Sequence, residues 1–163
     1  MLSATVRLSV MSMLAAGLAA CTPVPHVAHL RPAVDGIVLD EGKPAAGVEL
    51  FLAKFPGKNH PCTDVGEVIP VASDGRFSWT AADERRSTTS LLDPPSVSGA
   101  LTALCIRHPA KGVLIGAVLF VMQNESVAVR LRCDVAHPRA SGGPHTVSAM
   151  LGQPQYCEAS DAG

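Results

Sequence analysis

Cysteine offers this 163-residue chain its widest chemistry, because a thiol can carry a lipid, bind a metal or close a disulfide. Five are present: Cys21, Cys62, Cys105, Cys133 and Cys157. Six histidines raise a metal argument, with His26 and His29 in "HVAH" and His60 two residues before Cys62 in "HPC". Structural zinc needs four converging ligands, usually in paired spacings on defined turns. Neither histidine group sits in a segment with strand or helix periodicity, so no metal and no cofactor is expected. Carboxylates pair only as sequence neighbours, Asp40 with Glu41 and Asp83 with Glu84. An acid–base pair needs two environments that push the groups' pKa values apart, and neighbours on exposed turns share one. Neither G-x-S-x-G nor H-E-x-x-H occurs. The glycines of "DEGKPAAGVELFLAK", Gly42 and Gly47, raise a phosphate loop, which needs lysine and serine or threonine directly after the second glycine. Val48 and Glu49 follow instead, and a strand pattern begins, so these glycines turn the chain. The chain reads as a non-enzyme.

The N-terminus reads "MLSATVRLSVMSMLAAGLAAC", with Arg7, then an apolar run from Leu8 to Ala20, then cysteine. That order of charge, apolar core and small residues is a secretory signal, shorter than the roughly 20 residues a membrane-spanning helix needs. Leu18, Ala19, Ala20 and Cys21 resemble the lipobox of bacterial lipoproteins in every position. The resemblance implies a diacylglyceryl group on the Cys21 thiol and cleavage just before it, with residues 1–20 as signal. The competing reading makes Cys21 an ordinary disulfide cysteine. Thr22, rather than aspartate, follows, which by the same resemblance implies transport to the outer membrane, facing the periplasm.

Losing residues 1–20 removes one of the 13 basic residues and none of the 14 acidic ones, taking the net charge from −1 to −2. No basic face is available for nucleic acid. The four remaining cysteines of an exported chain read as two disulfides with three possible pairings. Cys133 with Cys157 would close a loop of about 25 residues, contributing about 3 kcal/mol. By elimination Cys62 would then pair with Cys105.

Residues 21–32, including "TPVPHVAHLRP", carry three prolines and no periodicity. They read as a semi-rigid tether able to span roughly 35–40 Å. Alternation at Val34, Gly36 and Val38, a break at "DEGKP", and alternation at Val48, Leu50 and Leu52 predict strand, turn, strand. In "VASDGRFSW", Asp74-Gly75 suits a tight hairpin, and Phe77 and Trp79 share one face. Asp83, Glu84, Arg85 and Arg86 lie in a polar stretch, Thr80 to Pro95, read as a solvated loop or short surface helix that could contact a partner. Strands follow at "GALTALCIRH", at "VLIGAVLFVM", whose apolar run predicts a central strand buried on both faces, and at Val127–Cys133. The "NES" at Asn124 matches a glycosylation acceptor, without weight in a bacterial lipoprotein.

"GIVLDEGKPAAGVELFLA" followed by "SDGRFSW" resembles the carboxypeptidase regulatory-like, or transthyretin-like, module. The resemblance spans Val34 to about Trp79 and implies an all-β, Ig-like or transthyretin-like (prealbumin-like) antiparallel β-sandwich of about seven strands, stapled by disulfides. The expected organisation is a sandwich over 33–135 and a mostly irregular tail over 136–163, with at most one edge strand, held through Cys157. Such modules carry structural rather than catalytic residues. The expectation is a binding or structural module, lipid-anchored in the bacterial envelope through Cys21. It would present the insertion Phe55 to Gly66, the loop Thr80 to Pro95 or a sheet edge to an envelope protein. Two alternatives are an accessory lipoprotein of a secretion system or a toxin-immunity lipoprotein, and a carbohydrate- or small-ligand-binding lipoprotein.

Overall fold

The structure, a computed structural model, describes residues 24–53, 61–88, 99–139, 143–147 and 152–162. Cys21, the signal segment, the first half of the insertion (residues 55–60, with His60) and residues 89–98 lie outside the described residues.

The described chain is all-β, with no helix and eleven strands rather than about seven. They are β1 (Val24–Arg31), β2 (Ala33–Asp40), β3 (Lys43–Pro44), β4 (Glu49–Ala53), β5 (Val65–Ile69), β6 (Arg76–Trp79), β7 (Ala82–Thr88), β8 (Gly99–His108), β9 (Gly112–Met122), β10 (Ala128–Asp134) and β11 (Cys157–Asp161). One sheet runs β11-β10-β2, with β6 and β3 sharing the far edge of β2. A second runs β5-β4-β8-β9. β1 and β7 form a separate two-stranded ribbon. All pairs are antiparallel except β10 with β2, which corrects the wholly antiparallel expectation.

Alternation builds the core. Val34 and Val38 on β2, Val129 and Leu131 on β10, and Phe77 and Trp79 on β6 face Leu50, Leu52, Leu104 and Ile106 of the other sheet. Each fully buried side chain of this size contributes about 2 kcal/mol. Phe77 and Trp79 stack with ring centroids 6.0 Å apart. The Trp79 indole donates to the Pro32 carbonyl at 3.0 Å, so its polar atom is satisfied inside the core.

Glu41 and Gly42, with φ of 51° and 78°, form the two-residue turn between β2 and β3. Left-handed backbone at both positions matches the twist of paired strands. The β2 and β4 segments therefore do not pair; β4 crosses to the second sheet. Ala72 to Gly75 also turns tightly, with the Gly75 amide donating to Ala72 O at 2.9 Å, but its flanking strands β5 and β6 belong to different sheets rather than to one hairpin.

Two further expectations change. The tether is not free: residues 24–31 are β1, and β7 occupies part of the expected loop. Backbone pairing and ion pairs make this ribbon, so apolar periodicity does not reveal it. β9 is an edge strand, not the central one. Its apolar run is explained by a second cluster, in which Phe51, Cys62, Ala103, Cys105, Ile115 and Val118 bury the outer side of the same sheet. The tail contributes the edge strand β11, paired with β10.

The disulfides join Cys62 to Cys105 and Cys133 to Cys157. The first fixes the insertion to the outer side of β8. The second links direct cross-strand partners of β10 and β11.

Gly36 sits opposite Phe77 on β6, and an added Cβ would lie 2.3 Å from that ring. With the ring wedged against Trp79, Gly36→Ala should destabilise the protein by about 1–3 kcal/mol. A denaturant titration of the variant checks this.

Candidate binding surface

The outer side of the β5-β4-β8-β9 sheet is closed at its centre and open at its rim. Cys62 and the partly buried Val147 cover the centre. By strand register the rim side chains are Val65 and Val68 on β5, Leu101 on β8, and Val113 and Phe120 on β9. All five are exposed, from 37% for Phe120 to 55% for Val68. They are five of the six exposed large hydrophobic residues among the described residues, the sixth being Val27. At one margin Arg107 lies 5.3 Å over the Phe51 ring and pairs with Glu49, its cross-strand neighbour.

Beside this rim a groove of about 430 Å³ is lined by Leu30 and Arg31 of β1, Leu52 and Ala53 of β4, Gly66 and Glu67 of β5, and Leu101 and Thr102 of β8. Arg31 Nη1 donates to Glu67 Oε2 at 2.5 Å. Its Nε is buried without an acceptor.

A polar cluster ties the ends of the two sheets. His108, 8% exposed, accepts at Nδ1 from the amides of Ala110 (3.1 Å) and Lys111 (3.2 Å). Two donors on Nδ1 leave the proton on Nε2, 3.5 Å from Asp40 Oδ2. Lys111 Nζ reaches Asp40 Oδ1 and the Val135 carbonyl, each at 3.1 Å. Both imidazole nitrogens and the carboxylate are thus engaged by protein groups, an arrangement that clamps the β8–β9 turn to β2.

Next to it, burial alone would raise the Asp134 carboxyl. The Ala136 amide at 3.0 Å, the His137 ring and the Glu41 backbone outweigh burial and hold it below its ordinary range. A lowered folded-state pKa contributes stability that is present above the unfolded carboxyl value near 4 and is lost as pH falls through the folded value. Asp134→Asn should therefore flatten the stability–pH profile below about pH 4, as read from urea midpoints between pH 3 and 7.

The structure separates the four charged residues expected to form one patch. They alternate along β7: Asp83 pairs with His29 at 2.8 Å, and Arg86 pairs with Glu84 at 2.7 Å on the opposite side of the ribbon. Arg85, opposite Val27, has no ionic partner among the described residues. Among the described residues no group of three His, Cys, Asp or Glu side chains is placed to hold a metal ion. Asp40 ends β2 and Glu41 opens the β2–β3 turn, and Asp40 is engaged by Lys111. Cys21 lies outside the described residues.

Gln155, 2% exposed, escaped the sequence reading. It accepts from the Val118 amide at 3.1 Å and donates to the Val147 carbonyl at 2.9 Å, sealing the free edge of β9. A single amide in "GQPQYC" carries no periodic signal.

Comparisons with protein-family models, with curated proteins and with solved structures found no match.

Proposed function

We propose that this protein is a lipid-anchored component of a bacterial cell envelope whose non-catalytic, transthyretin-like β-sandwich binds another envelope protein. The contact surface is the outer side of the β5-β4-β8-β9 sheet, with the insertion stapled at Cys62. The observation that carries the reading is the apolar rim of Val65, Val68, Leu101, Val113 and Phe120 on a single sheet side. Apolar side chains gathered around a rigid, disulfide-fixed centre are a surface of the kind that partners cover. The lipobox-like Leu18–Cys21 supports the anchor, and the even set of four further cysteines supports an oxidising compartment.

In-cell crosslinking with mass spectrometry of the captured species tests this. The wild type should yield one dominant envelope partner. Val68→Glu with Leu101→Glu should reduce its capture by at least tenfold while leaving the thermal midpoint within a few degrees, since both side chains are exposed. Undiminished capture by the double variant would move the contact elsewhere.

The groove beside Arg31 favours a second reading, a small-ligand module. An amphiphile with a carbonyl or carboxylate acceptor could satisfy Arg31 Nε while its apolar part lies on Leu30, Leu52 and Leu101.

A further inference from the structure

We propose that the β1–β7 ribbon rests on the lipid headgroups, with its Val27–Arg85 side against an anionic bilayer. This rests on the acylation of Cys21 set out above. Only Thr22 and Pro23 separate that cysteine from Val24, the first residue of β1. Three backbone steps reach at most about 11 Å, and each headgroup layer is roughly 6 Å thick. A free tether of a dozen residues would let the domain stand away from the membrane. Pairing of β1 with β7, from Val24 opposite Thr88 to Arg31 opposite Ala82, removes that slack.

The side of the ribbon follows from alternation. Ala28 is buried, and on its side Arg86 pairs with Glu84 and reaches the Gln123 side chain. That side faces the protein. The opposite side carries Val27, 46% exposed, with Arg85 directly across from it. Asp83, also on this side, is held by the His29 ring at 2.8 Å rather than by Arg85, whose guanidinium has no ionic partner among the described residues. One apolar side chain beside a guanidinium with no ionic partner among the described residues suits the boundary between glycerol and phosphate, where the guanidinium can bond phosphate oxygens in a fork. One such cation raises residence at an anionic surface by roughly fivefold. The acyl chains supply the attachment, and the ribbon sets the orientation.

The His29 amide donates to Gln123 O at 2.9 Å, which places the Gly99 and Met122 ends of β8 and β9 beside the ribbon. Val113 lies at the other end of β9, roughly 30 Å away at the rise of a strand.

The full-length acylated protein, reconstituted in phosphatidylethanolamine–phosphatidylglycerol vesicles with brominated acyl chains, provides the test. Trp79, the one tryptophan, is buried and serves as an internal reference. Val27→Trp should show several-fold stronger bromine quenching than Val113→Trp. Arg85→Glu should weaken the Val27→Trp quenching in anionic vesicles and leave it unchanged in phosphatidylcholine. Ser87→Trp, on the same side of the ribbon, should repeat the Val27→Trp result should that variant fold poorly. Equal quenching at Val27 and Val113, or quenching of the ribbon tryptophans no greater than that of the wild type, overturns the proposal. Mass spectrometry of the wild-type N-terminal peptide separates the two failures. An acylated peptide with unquenched ribbon tryptophans overturns the ribbon placement alone, whereas an unmodified Cys21 overturns the anchor and the placement together.

Discussion

Replacing Cys133 and Cys157 together by alanine should lower the thermal midpoint by roughly 10 °C. The bond closes a loop with a sequence separation of 24. The chain-entropy model assigns such a loop about 3 kcal/mol, by restricting the unfolded chain. A domain of about 140 residues loses roughly 3–4 °C per kcal/mol. The location argues against a smaller effect. Both cysteines are 0% exposed, and β11 is an edge strand of five residues, paired with β10 on one side, whose other buried side chain is Ala159. Without the bond, β11 should open independently of the remainder, so the amides of residues 157–161 should exchange with solvent faster than those of β10. Paired melting curves and hydrogen exchange of oxidised wild type and double variant measure both effects. An unchanged midpoint would show that the tail is held by the contacts of Gln155 and Tyr156 with β9 instead.

The other large effect concerns Cys21. In cells fed a labelled fatty acid, the wild-type protein should carry label, and Cys21→Ser should fall to background, a change of at least tenfold. Each buried methylene contributes about 0.8 kcal/mol, so two acyl chains hold a protein on a bilayer far more strongly than any headgroup contact. Because the acceptor is a thiol, serine, similar in size but with a far less nucleophilic hydroxyl, removes the acceptor with little change in shape. Label persisting on the serine variant would mean that the lipid sits elsewhere, and the reach argument for β1 would fall with it.

Strands whose two sides differ, or that are apolar throughout, were legible in the residues. β8 coincides with "GALTALCIRH", and the burial of Val129, Leu131 and Cys133 on β10 follows their alternation. The ribbon was not legible, because β7, "ADERRST", has no large apolar residue and its strand state comes from pairing with a segment more than 50 residues away. The edge position of β9 was hidden for the opposite reason. Two clusters bury its two sides, so an edge strand carries the composition of a central one. The candidate surface suffered similarly: Val68 and Leu101 on the rim look, in sequence, like the buried Leu50 and Leu104. Strand register, rather than residue type, separates them.

The parallel pair of β2 with β10 joins Val34 to Val129, about 95 positions along the chain, and such contacts slow folding because a long loop must close first. A growing or threading polypeptide therefore has no partner for that edge of β2 until its final quarter has emerged. In an exported chain, as proposed above, late completion of this kind would keep the precursor pliable for passage through a narrow translocation pore and leave the closing of the sheet to the far side.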